Sequence, residues 1–270
     1  MLSLNEKNYY KDTSYISSSM VRAYLKSPAY YKALYVDKSI DQPDSPSIDF
    51  GQALDCLLTA GKNKFSRRYT YAVKKGDAPV HFEKNKTTKK TVLSRNAFDL
   101  VLRAAETIEA TDAYKWLKEH DTRSQTILTG SLAGSPIKGK LDWLTLDDSV
   151  AYITDLKTTT NIHPTKIYYH VLDYQYHIQM ALYRELVFQN YPQIQAVAGR
   201  HLVVTRTDWP QVATFNFHKD FLKKGLLLAT DAIEGIAAGR FEELPVSWET
   251  ANMLEDKYAL PTSEGDIGEE

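Results

Sequence analysis

Two β-rich runs separated by a three-residue polar turn set the strongest limit on what this chain can fold into. Residues 141–146 and 150–156 are dense in β-formers, and Asp147-Asp148-Ser149 between them is turn chemistry, so the pair is predicted as a hairpin. Side chains alternate along a strand, which places Asp155 and Lys157, two residues apart, on one face, with Asp142 on the neighbouring strand. Two carboxylates and an ammonium gathered there suit a hard divalent cation and a positioned water, the parts that phosphodiester hydrolysis requires. Alone, an Asp-x-Lys pair is more often a surface ion pair of small energetic weight. The reading therefore depends on what the rest of the chain adds.

The 270 residues, 43% hydrophobic and 25% charged, can bury a full core. We expect a single domain over 1–261, with a helical N-terminal part to about 120, a core over about 121–240 and a disordered acidic tail over 262–270. No run of about 18 apolar residues occurs, and the first residues lack a signal-type apolar stretch, so the expected location is the cytoplasm, without a membrane partner. Cys56 is the one cysteine, which excludes an intrachain disulfide, a four-cysteine zinc site and an iron-sulfur cluster built from this chain alone. It is expected to be a small buried apolar residue.

The net charge of −1 conceals an asymmetry: residues 62–95 carry eleven basic side chains against two acidic ones, +9 against −10 for the remainder. Among them Arg67, Arg68, Lys84, Lys86, Lys89 and Lys90 are candidate nucleic-acid contacts, and Phe65, Tyr69, Tyr71, His81 and Phe82 are interleaved as stacking candidates. A solvated loop explains 84–90 equally well.

Local signals give the order of elements. Ser17-Ser18-Ser19 starts a helix that Pro28 closes or restarts, 37–47 reads as a loop, and 48–60 is a helical stripe ended by Gly61. A longer helix or helix pair spans 94–119, and strands are expected at 126–130, 136–146 and 150–156. A helix opened by Pro164 runs to about 191, strands follow at 196–205 and 211–217, and a last helix covers 220–238. Helices, three strands, helix, two strands, helix describe a mixed α/β domain with an appended helical N-terminal part.

Asp55 lies within an apolar helical run, where a charge is rarely left without a partner. It caps or pairs with a lysine, or, if its helix leans across the hairpin, supplies a third carboxylate; three such groups would need a cation to stay ionised. Gln175, Gln179 and Tyr183, at i,i+4 steps, are expected to share a helix face. His163, His170 and His177 recur every seven residues, the wrong spacing for a helical zinc pair, and are expected to face the surface or a partner. The tyrosines at 168, 169, 174 and 176 are expected to pack with the hydroxyl at the surface. The phosphate-loop, dinucleotide and serine-hydrolase signatures do not occur.

Taken in order, Gly51-x-Ala53-Leu54-Asp55-x-Leu57-Leu58, Gly139-x-Leu141-Asp142, Asp155-Leu156-Lys157-Thr158-Thr159 and Gln179-x-x-x-Tyr183 resemble the PD-(D/E)xK nuclease superfamily, and within it the RecE-type (exodeoxyribonuclease VIII) phage exonucleases. The start at Ser17 and Leu25-Lys26-Ser27-Pro28-Ala29-Tyr30-Tyr31 are similar to that group as well. The resemblance implies a restriction-endonuclease-like core, a central mixed sheet flanked by helices. It implies Mg²⁺ or Mn²⁺ held by Asp142, Asp155, the Leu156 carbonyl and Asp55, with Lys157 handling the water and Gln179 and Tyr183 completing the site. Asp55 departs from the histidine or glutamate of many relatives. The implied function is 5′ to 3′ exonuclease action on double-stranded DNA ends in phage-type recombination, by a homo-oligomer working beside a single-strand annealing protein. Rival expectations are a catalytically idle DNA-binding or recombination-accessory module with the same fold, or an endonuclease.

Overall fold

The computed structural model describes residues 4–6, 8–41, 46–71 and 90–242. The chain begins with a short strand β1 (Ile16–Ser17), helix α1 (Ser18–Lys26) and a brief α2 (Pro28–Tyr31) that runs into a π-helical turn. Pro28 fits at the first turn because its missing N–H would be unsatisfied there anyway, and the Ser27 hydroxyl caps the Tyr30 N–H. Helix α3 (Pro46–Arg68) follows, then strands β2 (Tyr69–Tyr71) and β3 (Thr91–Leu93), helix α4 (Arg95–Glu109) capped by Ser94, and α5 (Asp112–Glu119) capped by Thr111. The core continues with β4 (Thr122–Leu132), β5 (Ser135–Asp147), β6 (Val150–Thr159), α6 (Pro164–Asp173), α7 (Tyr176–Asn190), β7 (Ala196–Thr205), β8 (Val212–Asn216) and α8 (Lys219–Ala237).

The main sheet is mixed and six-stranded. β5 is flanked by β4 on one edge; its other edge meets β6, which pairs in parallel with β7, and β8 closes the far side antiparallel. One apolar core, with Ile16, Val21, Leu141, Ile153, Ile178, Leu186 and Ile233, fills the space between the sheet and α1, α7 and α8. A second, with Leu54, Leu57, Val101, Ile108, Trp143 and Leu202, lies under α3, α4 and α5 on the opposite face. Helices on both faces of a largely buried sheet are the arrangement the resemblance implies.

Two irregularities in this sheet create the site. β5 and β6 stay paired from Asp147↔Val150 to Trp143↔Thr154 and then part. β6 follows β7 to Thr159↔Thr205, whereas β5 keeps β4 on one edge and accepts β1 at Ile137 and Lys138 on the edge that β6 has left. The fork opens between Asp142 and Asp155. At the same level Gln125 in β4, opposite Asp142, takes a left-handed backbone at φ 53° and drops out of the ladder, which has Ser124↔Trp143 and Thr126↔Leu141 on either side. Leu141 and Leu144 both face the first core while Trp143 faces the second, so the side-chain alternation of β5 changes phase at Asp142.

The stripe over 48–60 ends at Gly61 as expected: its backbone (φ 83°, ψ 167°) is not helical, and α3 is two helices joined across a kink there. Other local expectations change. The helix expected from Pro164 to 191 is two helices, broken at Gln175 (φ 53°), with no Gly or Pro to announce it. Gln175 therefore stands at the corner ahead of α7 and does not extend the Gln179–Tyr183 face. β1, β2 and β3 are too short to leave a periodic signal. His163 is exposed and His170 half-buried, but His177 is buried, its ring 4.5 Å from Phe221 and nearly parallel to it. Cys56 is buried as expected.

Candidate active site

Asp155 and Lys157 are carried by β6 just past the fork, where β6 no longer bonds to β5. Their side chains form an ion pair that is almost enclosed, with Lys157 15% and Asp155 3% exposed. Both project to the α7 side, where Gln179 receives them: its Oε1 accepts from Lys157 Nζ at 3.1 Å and its Nε2 lies 3.3 Å from Asp155 Oδ1 and 2.9 Å from the Tyr183 hydroxyl. Tyr183 in turn donates to the Lys140 carbonyl at 2.9 Å. Gly139 makes this approach of α7 possible, since a Cβ there would stand 2.7 Å from Leu186 Cδ1 and 2.9 Å from the Tyr183 ring.

Asp142 faces the same fork from β5. Its Oδ2 accepts the Leu156 N–H at 2.9 Å, replacing the ladder bond that the parting strands have lost. Asp55 arrives from the opposite layer on α3, whose Leu54, Leu57 and Leu58 are anchored in the second core. Gln125 Nε2 bridges the two carboxylates, 2.8 Å from Asp55 Oδ1 and 3.5 Å from Asp142 Oδ1.

The electrostatics follow from burial. Burial, then repulsion from Asp155 and Asp55, holds the Asp142 carboxyl well above the usual range. Burial pushes Asp55 up to about 6, with Lys140 pulling the other way and Asp155 adding to the rise. For Lys157, burial favours the neutral amine, but Asp155 and its neighbours outweigh it and the pKa is raised. Burial, helped by Lys157, pushes His201 well below its ordinary value, so this ring is neutral at 3.7 Å from Asp155.

Among the described residues no three His, Cys, Asp or Glu side chains already stand as a finished metal cage. The Lys157 ammonium and the Gln125 amide take up the carboxylates' charge. The donor set nonetheless suits a hard divalent ion: its side-chain donors are carboxylate oxygens, and two carboxyls have raised pKa values that added positive charge would relieve. The residues present fit such an ion.

A cleft of about 330 Å³ reaches this cluster, lined by Gly51, Asp55, Leu156, Lys157, Tyr174 and Arg206 among others. Gln125, His201, Tyr176 and Arg206 are site residues that sequence reasoning missed. His201 is the β7 partner of Asp155, and Arg206 follows β7 where its N–H bonds to the Thr159 carbonyl; a parallel β6–β7 pairing would have pointed to both.

The basic segment is only partly in view. Lys84, Lys86 and Lys89 lie outside the described residues, Lys90 is half-buried just ahead of β3, and Arg67 is exposed at the end of α3. Arg68 and Lys64 both pair with Glu6. Phe65 is buried and packs on Tyr69 and Phe98, so its ring is core and not a stacking platform, whereas Tyr69 and Tyr71 are half-buried, Tyr71 also packing on Phe98.

Among solved structures, the chain is similar to that of a candidate exonuclease from Eubacterium rectale, with a TM-score of 0.65 at 16% identity over 96% of this chain and 99% of that one. Similarity to the structure of SSO0001 is slight: TM-score 0.30, 18% identity, over 52% of this chain and 68% of that one. No curated protein matches the sequence. A family model described as a PDDEXK-like domain of unknown function matches residues 17–256, and with that match the chain belongs to this PDDEXK-like family.

Proposed function

We propose that the chain is a divalent-metal-dependent deoxyribonuclease, acting as a 5′ to 3′ exonuclease on double-stranded DNA ends in the manner of the RecE-type enzymes it resembles. The observation that carries this reading is the meeting of Asp55, Asp142 and Asp155, from α3, β5 and β6, around the Lys157 ammonium at the fork of the sheet. The family match and the fold shared with the Eubacterium rectale protein support it.

Asp142, Asp155, Asp55 and the Leu156 carbonyl would hold Mg²⁺ or Mn²⁺, which when bound supplies Lewis-acid charge for the phosphate oxygens. The chain's own residues do the positioning. Lys157, kept protonated by its carboxylate neighbours, donates to the attacking water or to a non-bridging phosphate oxygen, and Gln179 fixes the direction of its ammonium. The Tyr183 hydroxyl accepts from Gln179 Nε2, and because burial keeps its pKa well above 10 it stays protonated and donates to the Lys140 carbonyl. In the reaction the water oxygen bonds to phosphorus as the opposite P–O ester bond breaks, and the departing oxygen takes up a proton.

Recombination use, a single-strand annealing partner and a homo-oligomeric assembly are part of this proposal and rest on the resemblance alone. No described helix is long and apolar enough to cross a membrane. The test is digestion of linear and covalently closed duplex DNA with Mg²⁺ or Mn²⁺, using end-labelled strands to read polarity. We expect loss of linear DNA from its 5′ ends and intact circles. Cutting of closed circles would make the enzyme an endonuclease, and failure to cut either substrate with both metals would remove the nuclease reading.

A further inference from the structure

One wall of the cleft is built differently from the rest. At the corner between α6 and α7, Gln175 adopts φ 53°, and this turn brings Tyr174 and Tyr176, its two neighbours, into a stack with centroids 5.5 Å apart and planes 18° from parallel. The ring of Tyr176 is the inner member. Lys157 Nζ sits 4.5 Å from its centroid and the Arg22 guanidinium 5.9 Å from it. Arg22 also donates to the Tyr174 carbonyl at 3.1 Å, pinning the corner to α1. His170 meets both rings edge-on, at 4.5 Å from Tyr174 and 5.6 Å from Tyr176.

Tyr174 is the outer member: it lines the cleft beside Lys157, yet is 53% exposed. A large ring held rigid on one side and bare on the other, within a stack that leads to Lys157, is unusual for a residue whose role is packing. Arg206 lines the same cleft and its Nε makes no hydrogen bond among the described residues. A flat apolar face beside the Lys157 ammonium and a guanidinium whose Nε has no partner is the combination that binds a nucleobase together with its phosphate. A volume of about 330 Å³ is of the size of about one nucleotide.

We infer that Tyr174 is a base-stacking platform, and that the cleft accepts an unpaired nucleotide at a frayed or single-stranded DNA end, with its base on Tyr174 and its phosphate directed to Lys157 and Arg206. This names the substrate form for the site and rests on the nuclease reading. On this inference the terminal pair opens before the strand enters.

Binding can be tested without cleavage, by fluorescence anisotropy of a fluorescein-labelled single-stranded oligonucleotide in metal-free buffer. Stacking is worth about 1–3 kcal/mol per base, so Tyr174→Ala should weaken binding about fivefold or more, and Tyr174→Phe, which keeps the ring, should stay within about twofold of wild type. An abasic residue placed in turn at each terminal position should mimic Tyr174→Ala at one position, and the two changes together should cost no more than either alone. Forked duplex ends should bind more tightly than blunt ends whose terminal pairs are cross-linked. Unchanged binding by Tyr174→Ala, additive losses at every abasic position, equal binding of cross-linked ends, or no binding by wild type would each overturn the inference. If wild type cleaves DNA but Tyr174→Ala binds normally, the stacking inference fails and the nuclease reading stands; the reverse result separates them the other way.

Discussion

Asp142 Oδ2 accepts the Leu156 N–H at 2.9 Å, one step beyond the last β5–β6 ladder pair, Trp143↔Thr154. A side chain thus satisfies a backbone donor where the sheet forks, and the fork is what admits Asp55 from the other layer. The carboxylate has two separable duties, as hydrogen-bond acceptor and as charge.

Those duties separate in two variants. Asp142→Ala leaves the Leu156 N–H unsatisfied and should be less stable than Asp142→Asn by about 1–3 kcal/mol. Asp142→Asn keeps an acceptor and removes a repelling charge, so urea unfolding in metal-free buffer should show it at least as stable as wild type. Both variants should lose cleavage about 100-fold or more. Equal stability of the two variants would show that the backbone bond carries no weight.

Gln125 combines a left-handed backbone with an amide aimed at two carboxylates. Left-handed φ costs a residue with a Cβ about 1 kcal/mol relative to glycine. Gln125→Gly should therefore be more stable than Gln125→Ala by about that amount, whereas both should cleave DNA less well than wild type by the same factor, having lost the same amide. A Gly variant that cleaves like wild type would assign Gln125 to the backbone alone.

His177 makes stability sensitive to pH. Burial, with Lys224 adding to it, pushes this imidazole down from 6.5 to about 4. A lowered folded pKa means that the unfolded chain takes up a proton first, so this stability is present above about pH 6.5 and lost as pH falls toward 4, at up to about 1.4 kcal/mol per pH unit. Asp55, raised to about 6, acts in the opposite sense between its ordinary 3.8 and 6. The comparison of wild type with His177→Gln isolates the first effect: urea unfolding between pH 7.5 and 5 should show a weaker loss of stability toward acid in the variant. Parallel curves would contradict the assignment.

What the sequence disclosed follows from how each element is encoded. The hairpin, the 196–205 strand and α8 carry clear periodicity or turn chemistry, and Asp142, Asp155 and Lys157 are set by strand alternation around it. Asp55 was reachable because a charge inside an apolar helix demands a partner. Gln125 and Gln175 were not, because glutamine carries no local signal for left-handed backbone; tertiary packing imposes those conformations. The tyrosines at 168, 169 and 174 have the look of packing residues with the hydroxyl at the surface, yet their side chains are themselves substantially exposed. Phe65 went the other way, into the core. Interleaved aromatic and basic residues in a sequence do not say which rings a helix will bury.

The central claim is that Asp55, Asp142 and Asp155 share a divalent ion beside Lys157. Crystals soaked in Mn²⁺, examined by anomalous scattering, test it most directly. The account predicts manganese at the fork of β5 and β6, about 2.1 Å from oxygens of both Asp142 and Asp155, with the Lys157 ammonium displaced from Asp155. Crystals with no manganese between those two carboxylates, and Lys157 still paired with Asp155, would contradict it.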